Sequence, residues 1–282
     1  MRLVFGTLDL PDTSLAPRIL DRFYAAGGRA LDVANVYRDG ESAEVVGRWL
    51  RARQSPDGVI VYAKGCHPPY CRPELVSSEL DKARGLLGID RIDVFVLHRD
   101  DPSLPVAAFA DALLEQVATG TIGGFGVSNW TVPRLRELQL HLDRVGEDGL
   151  VVFSNHFSLA EMVAEPWPGC LAVDKQDLIA LADTDLLILA WSSLATGFFA
   201  GRDPVSWDSP GNRARRERAT ELAEELRTSA AAIALAYVFH QPDNVLPVVG
   251  TRSEAHLDEA LSASQIELSP RQLEWLESGV LP

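Results

Sequence analysis

The chain has 282 residues, of which 46% are hydrophobic, and its 40 acidic and 26 basic side chains give a formal net charge of −14. This length fits one α/β barrel and is too great for a small sandwich, and the hydrophobic fraction can form a large core. An acidic surface repels phosphate groups, so we expect neither nucleic acid nor an anionic membrane as a partner.

Short runs rich in Val, Ile and Leu recur along the chain. They are continuous rather than alternating in polarity, as is typical of strands buried on both faces of a parallel sheet. In chain order the predicted strands are Leu3–Phe5, Ala30–Val33, Val59–Ala63, Ile92–Leu97, Ile122–Val127, Leu150–Phe153, Leu186–Ala190 and Val245–Val249.

Helical patterns separate these strands, with proline near their starts and glycine after their ends. The predicted helices include Glu41–Arg53, one between Pro73 and Gly88, one between Pro105 and Ala118, Arg213–Leu226 and Ser229–Phe239. Eight strands alternating with helices predict a single parallel (β/α)8 TIM barrel, which we expect to form one domain over residues 1–282. A doubly wound open sheet would show Gly-x-Gly-x-x-Gly after its first strand, and the residues after Gly6 do not match it.

The three cysteines, Cys66, Cys71 and Cys170, have neither metal-ligand spacing nor the even number of a disulfide set. We therefore expect free thiols in a reducing compartment and no bound metal. The first residues lack the apolar stretch of a signal peptide, and no run approaches the roughly 18 apolar residues of a membrane span. These features predict a cytoplasmic protein, either a monomer or a small homo-oligomer.

Titratable side chains end three successive predicted strands, where a barrel of this type forms its active site. Asp32 and Tyr37 follow the second strand, Lys64 the third and His98 the fourth. Any one of them alone fits an ordinary structural role, such as a helix cap, a packing residue or an exposed charge. Together they predict a catalytic group.

The four side chains suit the reduction of a carbonyl group, which needs a proton at oxygen as hydride reaches carbon. A phenol near its free pKa of about 10 is a poor acid–base group. We expect the ammonium of Lys64 to move the pKa of Tyr37 toward the working pH, and Asp32 to hold Lys64 charged. We expect His98 to orient the substrate oxygen together with Tyr37.

At these positions the sequence resembles the aldo-keto reductase superfamily, and the resemblance covers essentially the whole chain. The motifs that carry it are Asp32…Tyr37, Asp39-Gly40-Glu41-Ser42, Lys64, Leu97-His98-Arg99 and Gly126-Val127-Ser128-Asn129-Trp130. The resemblance implies an oxidoreductase that transfers hydride between a nicotinamide cofactor and a small-molecule carbonyl substrate.

The resemblance also implies the cofactor-binding residues. It places Ser128 and Asn129 at the nicotinamide carboxamide, assisted by Asn155 beside Ser154, where many relatives have glutamine. It stacks Trp191 on the nicotinamide ring. The phosphate and adenosine contacts then fall on Ser192, Leu194, Thr196, Gly250, Thr251, Arg252, His256 and Glu259.

The preferred cofactor is NADP(H), because the guanidinium of Arg252 matches the geometry of a 2′-phosphate. NAD(H) is the alternative, since His256 stands where many relatives have arginine. The irregular segments Ala160–Val173 and Phe198–Asn212 are expected to build the substrate pocket, with Phe198 and Trp207 as its walls.

Two other functions are compatible with parts of the pattern. A noncatalytic cofactor-binding subunit of the same fold would retain the cofactor groove without turnover. A metal-dependent barrel hydrolase could use Asp32, His98, Asp101 and His156, but it lacks the usual ligand spacing and leaves Lys64 and Tyr37 without a role.

Overall fold

The computed structural model describes residues 1–280; Leu281 and Pro282, the last two of the predicted domain, lie outside the described residues. Eight parallel strands form one closed barrel in chain order, and the first strand pairs with both the second and the eighth. The strands are β1 Val4–Gly6, β2 Ala30–Ala34, β3 Ile60–Gly65, β4 Ile92–Leu97, β5 Ile122–Ser128, β6 Leu150–Ser154, β7 Leu187–Ala190 and β8 Val245–Val249. The predicted barrel is confirmed, and each predicted strand end lies within two residues of the observed one.

The helices of residues 1–280 surround this barrel. They are α1 Leu15–Ala25, α2 Glu41–Ala52, α3 Val76–Leu87, α4 Val106–Ala118, α5 Val132–Val145, α6 Lys175–Leu181, α7 Pro210–Leu226, α8 Ala230–Phe239, α9 Glu254–Ala263 and α10 Pro270–Ser278. Local chemistry sets several of their ends: the side chain of Ser209 accepts a hydrogen bond at the start of α7, and Gly88 adopts a left-handed conformation after α3. None of these helices is long and apolar enough to cross a membrane.

Alternate residues of each strand fill the inside of the barrel. The interior cluster consists of Val4, Tyr62, Val94, Val96, Val152, Leu189 and Val248, whereas their neighbours in sequence pack under the helices. The same alternation, continued by two residues along each strand, reaches the residues at the carboxyl ends of the strands that line the mouth: Asp32, Lys64, His98, Ser154, Trp191 and Gly250. The period of a β-strand therefore directs these side chains to one mouth of the barrel.

Candidate active site

A buried ion pair lies at the ends of β2 and β3. The Nζ atom of Lys64 is 2.8 Å from Oδ1 and 3.1 Å from Oδ2 of Asp32, and both side chains are at most 3% exposed. The strand register creates the contact, because Lys64 pairs with Ala34, two residues beyond Asp32. Burial lowers the pKa of Lys64, but the charges and hydrogen bonds of Asp32 and Tyr37 together outweigh burial and leave that pKa raised. Burial raises the pKa of Asp32 against the opposing effect of Lys64.

A tight turn brings Tyr37 back over this pair. Arg38, Asp39 and Gly40 have φ values of 51°, 56° and 97°, in the left-handed region, before α2 begins. A Cβ atom at residue 40 would lie 3.0 Å from the side chain of Leu86. Both this close approach and the positive φ value therefore favour glycine at this position. The Tyr37 hydroxyl lies 3.4 Å from Oδ2 of Asp32 and 3.5 Å from Nζ of Lys64.

Lys64 acts on the Tyr37 phenol in the predicted direction, toward a lower pKa, but the net pKa of Tyr37 is raised rather than moved toward neutral pH. Burial of the hydroxyl raises the pKa of Tyr37, and the negative charge of Asp32 adds to this effect; together they outweigh Lys64, and the pKa is about 12. Because Asp32 neutralises Lys64, the phenol senses the pair rather than an isolated ammonium. Tyr37 therefore keeps its proton at neutral pH.

His98 completes the predicted catalytic group. It is 7% exposed, its ring centroid lies 5.7 Å from that of Tyr37, and its Nδ1 atom is buried without a hydrogen-bond partner in the part of the chain that the structure describes. Burial and the positive charges of Lys64 and Arg99 hold the pKa of His98 well below its ordinary value. The imidazole is therefore neutral.

Two further groups beside the site were not assigned a role from the sequence. The ring of His67 lies 5.1 Å from that of His98. The buried guanidinium of Arg99 donates hydrogen bonds to the carbonyl oxygens of His98 and Pro168 and to Sγ of Cys170. The signal for His67 was its position three residues after Lys64, at the same end of the barrel.

The polar residues after β5 and β6 are largely bonded to one another. The amide Nδ2 of Asn129 donates to the His98 carbonyl and to the hydroxyl of Ser128, and its Oδ1 accepts from the Leu171 amide. Ser128 itself donates to the carbonyl oxygen of Ser154. These bonds fix the mouth of the barrel and use both N–H groups of Asn129.

The structure corrects the role expected for Asn155. Its Oδ1 accepts from the Asn129 amide and its Nδ2 donates to the carbonyl oxygen of Trp130, each at 2.8 Å. Strand alternation turns this side chain away from the barrel interior, so it ties β5 to β6. Its neighbour Ser154 has the inward orientation, is fully buried, and has a hydroxyl with no partner within residues 1–280.

Trp191, after β7, is held by a buried histidine. Trp207 can only donate through Nε1, and it does so to Nε2 of His156 at 3.1 Å; the carbonyl oxygen of Trp191 can only accept, and it lies 3.0 Å from Nδ1. Both partners therefore require the neutral imidazole with its proton on Nδ1. Burial accordingly lowers the pKa of His156 to about 4.

The aromatic pocket walls predicted from the sequence are core residues instead. Phe198 is 0% and Trp207 1% exposed, so neither presents a surface to a ligand. Trp207 is buried because its indole N–H has a partner in His156, which removes the cost of desolvating that group. Trp191, which is only half-buried, retains an accessible surface.

The predicted phosphate and adenosine contacts lie at the ends of β7 and β8. Ser192 and Leu194 are half-buried and Thr196 is exposed; Thr251 and Glu259 are half-buried, whereas Arg252 and His256 are exposed near the start of α9. A Cβ atom at Gly250 would lie 2.6 Å from the carbonyl oxygen of Gly6, which explains why no side chain stands there.

No three His, Cys, Asp or Glu side chains within residues 1–280 come close enough together to hold a metal ion. The four ligands considered for a hydrolase include Asp32 and His156, whose polar atoms are engaged by Lys64 and by two tryptophans. The three cysteines are buried free thiols.

Comparison with known proteins identifies the family. The model of the aldo/keto reductase family matches residues 2–279. The chain belongs to this family. This confirms the membership predicted from the motifs, and the aldo/keto reductase is accordingly an oxidoreductase.

Relatives of this aldo/keto reductase include enzymes and a solved structure of the same fold. It is 26% identical to norsolorinic acid reductase of Aspergillus flavus, over 97% of this chain and 74% of the relative. It is also 26% identical to the aryl-alcohol dehydrogenase [NADP(+)] of Phanerodontia chrysosporium, over 98% of this chain and 77% of the relative. The aldo/keto reductase of Klebsiella pneumoniae, solved with NADP and acetate, superposes with a TM-score of 0.77 at 21% identity, covering 100% of this chain and 92% of the other.

Proposed function

We propose that the protein reduces an aldehyde or ketone to an alcohol, or catalyses the reverse oxidation, with NADP(H) as cofactor and Tyr37 as the general acid–base. One observation carries the proposal: the buried Asp32–Lys64 ion pair lies within reach of the Tyr37 hydroxyl, beside a neutral His98, at the carboxyl mouth of the barrel.

Each side chain has a separate task in carbonyl reduction. Tyr37 carries its proton at neutral pH, since its pKa is about 12, and donates it to the carbonyl oxygen. The ammonium of Lys64 stabilises the phenolate that this transfer leaves, and Asp32 keeps Lys64 charged and in place. His98, neutral by burial, donates one ring N–H to the same oxygen and so stabilises the charge that develops there.

The other half of the mouth fits a nicotinamide cofactor, which supplies or accepts the hydride when bound. The buried, unpartnered hydroxyl of Ser154 suits the carboxamide, and the half-buried ring of Trp191 offers a face for stacking. Ser192, Leu194 and Thr196 would then contact the phosphates, with Thr251 and His256 nearer the adenosine.

The preference for NADP(H) over NAD(H) rests on Arg252. This arginine is exposed at the end of β8 and forms no ion pair within residues 1–280, so its guanidinium is available to a 2′-phosphate. The aryl-alcohol dehydrogenase relative is named for its use of NADP(+), which agrees with this preference.

The proposal is tested by incubating the purified protein with NADPH or NADH and a panel of aromatic and aliphatic aldehydes, following loss of cofactor absorbance. Aromatic carbonyls belong in the panel because one of these relatives is named an aryl-alcohol dehydrogenase. Turnover with NADPH at least tenfold more efficient than with NADH would support the proposal. Tight cofactor binding without turnover of any aldehyde would instead favour a noncatalytic subunit.

A further inference from the structure

Arg99 is a buried cation at the mouth of the barrel that has no acidic partner. The residue is 6% exposed, and it forms no ion pair in the part of the chain that the structure describes. Its guanidinium donates instead to neutral acceptors: the carbonyl oxygen of His98 at 2.9 Å, the carbonyl oxygen of Pro168 at 3.2 Å and Sγ of Cys170 at 3.2 Å. Arginine does not lose its proton inside proteins, so this positive charge is not neutralised.

The two acidic residues that follow Arg99 in the chain are directed elsewhere. Oδ2 of Asp100 lies 3.1 Å from Nε of Arg134, and this ion pair is itself largely buried. The carboxylate of Asp101 accepts from the backbone amide and the hydroxyl of Ser103. The charge of Arg99 is therefore available to another anion.

The proposed reaction creates an anion close to Arg99, because a phenolate remains when Tyr37 gives its proton to the carbonyl oxygen. Arg99 directly follows His98, whose ring centroid lies 5.7 Å from that of Tyr37. Burial and the charge of Asp32 raise the pKa of Tyr37. Lys64 and Arg99 oppose that rise. The phenol is thus within the field of two cations.

These two cations differ in how far their charges act. Lys64 contacts Asp32 at 2.8 Å, so at a distance the pair acts as a dipole, whose field weakens faster than that of a single charge. Arg99 has only neutral partners and keeps the field of a full charge. Burial lowers the pKa values of His98 and His67, so both imidazoles in this part of the mouth are neutral. Arg99 is therefore the unpaired charge beside the catalytic group.

We propose that Arg99 is a positioning residue that acts through Tyr37: its unpaired charge stabilises the phenolate that forms when Tyr37 donates its proton. The carbonyl group becomes a neutral alcohol by taking hydride at carbon and the proton of Tyr37 at oxygen, so the negative charge remains on the phenolate. This inference rests on the proposed reductase function and adds to it a role for Arg99.

The test measures kcat/KM for alcohol oxidation with NADP(+) across the pH range in which the phenol loses its proton, because only the phenolate accepts a proton from the alcohol. The substrate is the alcohol of the panel aldehyde that the wild type reduces fastest. Arg99→Gln removes the charge and Arg99→Lys retains it, while both lose the forked contacts with Pro168 and Cys170. Urea denaturation of each protein measures the loss of those contacts separately.

A second pair of variants neutralises the charge without removing the arginine. Cys170→Asp places a carboxylate where Sγ accepts from the guanidinium of Arg99, and Cys170→Asn is the matched control, with the same shape and no charge. The new carboxylate is paired with Arg99, so this variant does not bury an isolated charge. It keeps the test decisive if Arg99→Gln does not fold.

We expect Arg99→Gln and Cys170→Asp to move the rise in kcat/KM about one pH unit higher, which is about a tenfold loss on the low-pH side of the profile. Arg99→Lys and Cys170→Asn should keep kcat/KM within about twofold of the wild type at each pH, although Arg99→Lys should lose stability as Arg99→Gln does. An unchanged profile in folded Arg99→Gln or Cys170→Asp, or an equal shift in Arg99→Lys, would overturn the inference and leave the reductase proposal intact. Absence of turnover with every aldehyde would overturn the reductase proposal, and this inference with it.

Discussion

The two halves of the barrel mouth satisfy their polar groups in different ways. At the ends of β2 and β3 the charges of Asp32 and Lys64 contact each other, and Tyr37 lies against both. At the ends of β6 and β7 the hydroxyl of Ser154 and the indole N–H of Trp191 are buried with no partner in residues 1–280.

The difference follows from the cost of leaving each kind of group unpaired. A buried charge without a partner costs far more free energy than a buried neutral group, which costs about 1–3 kcal/mol. The charged pair must therefore be formed before any ligand arrives, whereas neutral groups, among them Nδ1 of His98, can remain free for a ligand. Catalysis and cofactor binding should accordingly be separable by mutation.

Among the variants considered, Tyr37→Phe should lower turnover the most. Removing the phenol hydroxyl removes the general acid, so kcat/KM should fall about 10²–10⁴-fold. The dissociation constant for NADPH, measured by fluorescence titration, should stay within about twofold, because the ring remains and the other half of the mouth is untouched. Loss of cofactor affinity in parallel with turnover would show that the two halves are not separable.

Breaking the ion pair should lower stability as well as turnover. Lys64→Met leaves the carboxylate of Asp32 buried without its partner, and we expect a loss of about 3–5 kcal/mol in the free energy of unfolding. The double variant Asp32→Asn/Lys64→Met should recover most of that loss but none of the turnover. Urea denaturation of the three proteins checks this, and equal stability of the single and double variants would contradict a buried charged pair.

His156 should make the stability of the protein depend on pH, because it is a titratable group that is kept neutral in the cofactor half of the mouth. Its folded-state pKa of about 4 lies below the ordinary value of 6.5, so its contribution to stability is complete above pH 6.5 and is lost as the pH falls toward 4. The difference between the two pKa values corresponds to about 3 kcal/mol in the free energy of unfolding. Unfolding measured between pH 7 and pH 4 should show a smaller loss in His156→Gln than in the wild type, and identical losses would refute the burial argument.

Ser154→Ala should have a small effect, confined to the binding of the cofactor. Its hydroxyl donates to no residue of the described chain, so stability should change by less than about 0.5 kcal/mol. Loss of a cofactor hydrogen bond should weaken NADPH binding about two- to tenfold. Ser128→Ala is the matched control: it removes two internal hydrogen bonds and should lower stability. Weaker NADPH binding in Ser128→Ala together with lower stability in Ser154→Ala would contradict the assignment of the free hydroxyl to Ser154.

The barrel and the inward-facing positions could be predicted from the sequence because both depend on short periods. The runs that form β2, β3 and β4 are rich in Val, Ile and Leu, and the period of two that places Val96 inside the barrel also places His98 at its mouth. Family motifs supplied the roles proposed for these residues.

Features that depend on long-range contacts could not be predicted in the same way. The pKa of Tyr37 depends on the distance of its hydroxyl from Asp32 as well as from Lys64, and Asn155 is engaged by backbone groups of another strand end. Trp207 carries a polar N–H group on an aromatic ring, so its sequence position alone does not show whether it is buried. Its burial is explained by its hydrogen bond to His156, 51 residues away.

NADPH titration followed by tryptophan fluorescence tests whether a nicotinamide cofactor binds across Ser154 and Trp191, beside a pre-formed catalytic group. The proteins compared are the wild type, Trp191→Phe, and Trp167→Phe, which removes an indole that is 44% exposed. We expect saturable quenching in the wild type and in Trp167→Phe, and loss of most of that quenching in Trp191→Phe. Absence of saturable binding, or quenching unchanged by Trp191→Phe, would contradict this placement of the cofactor.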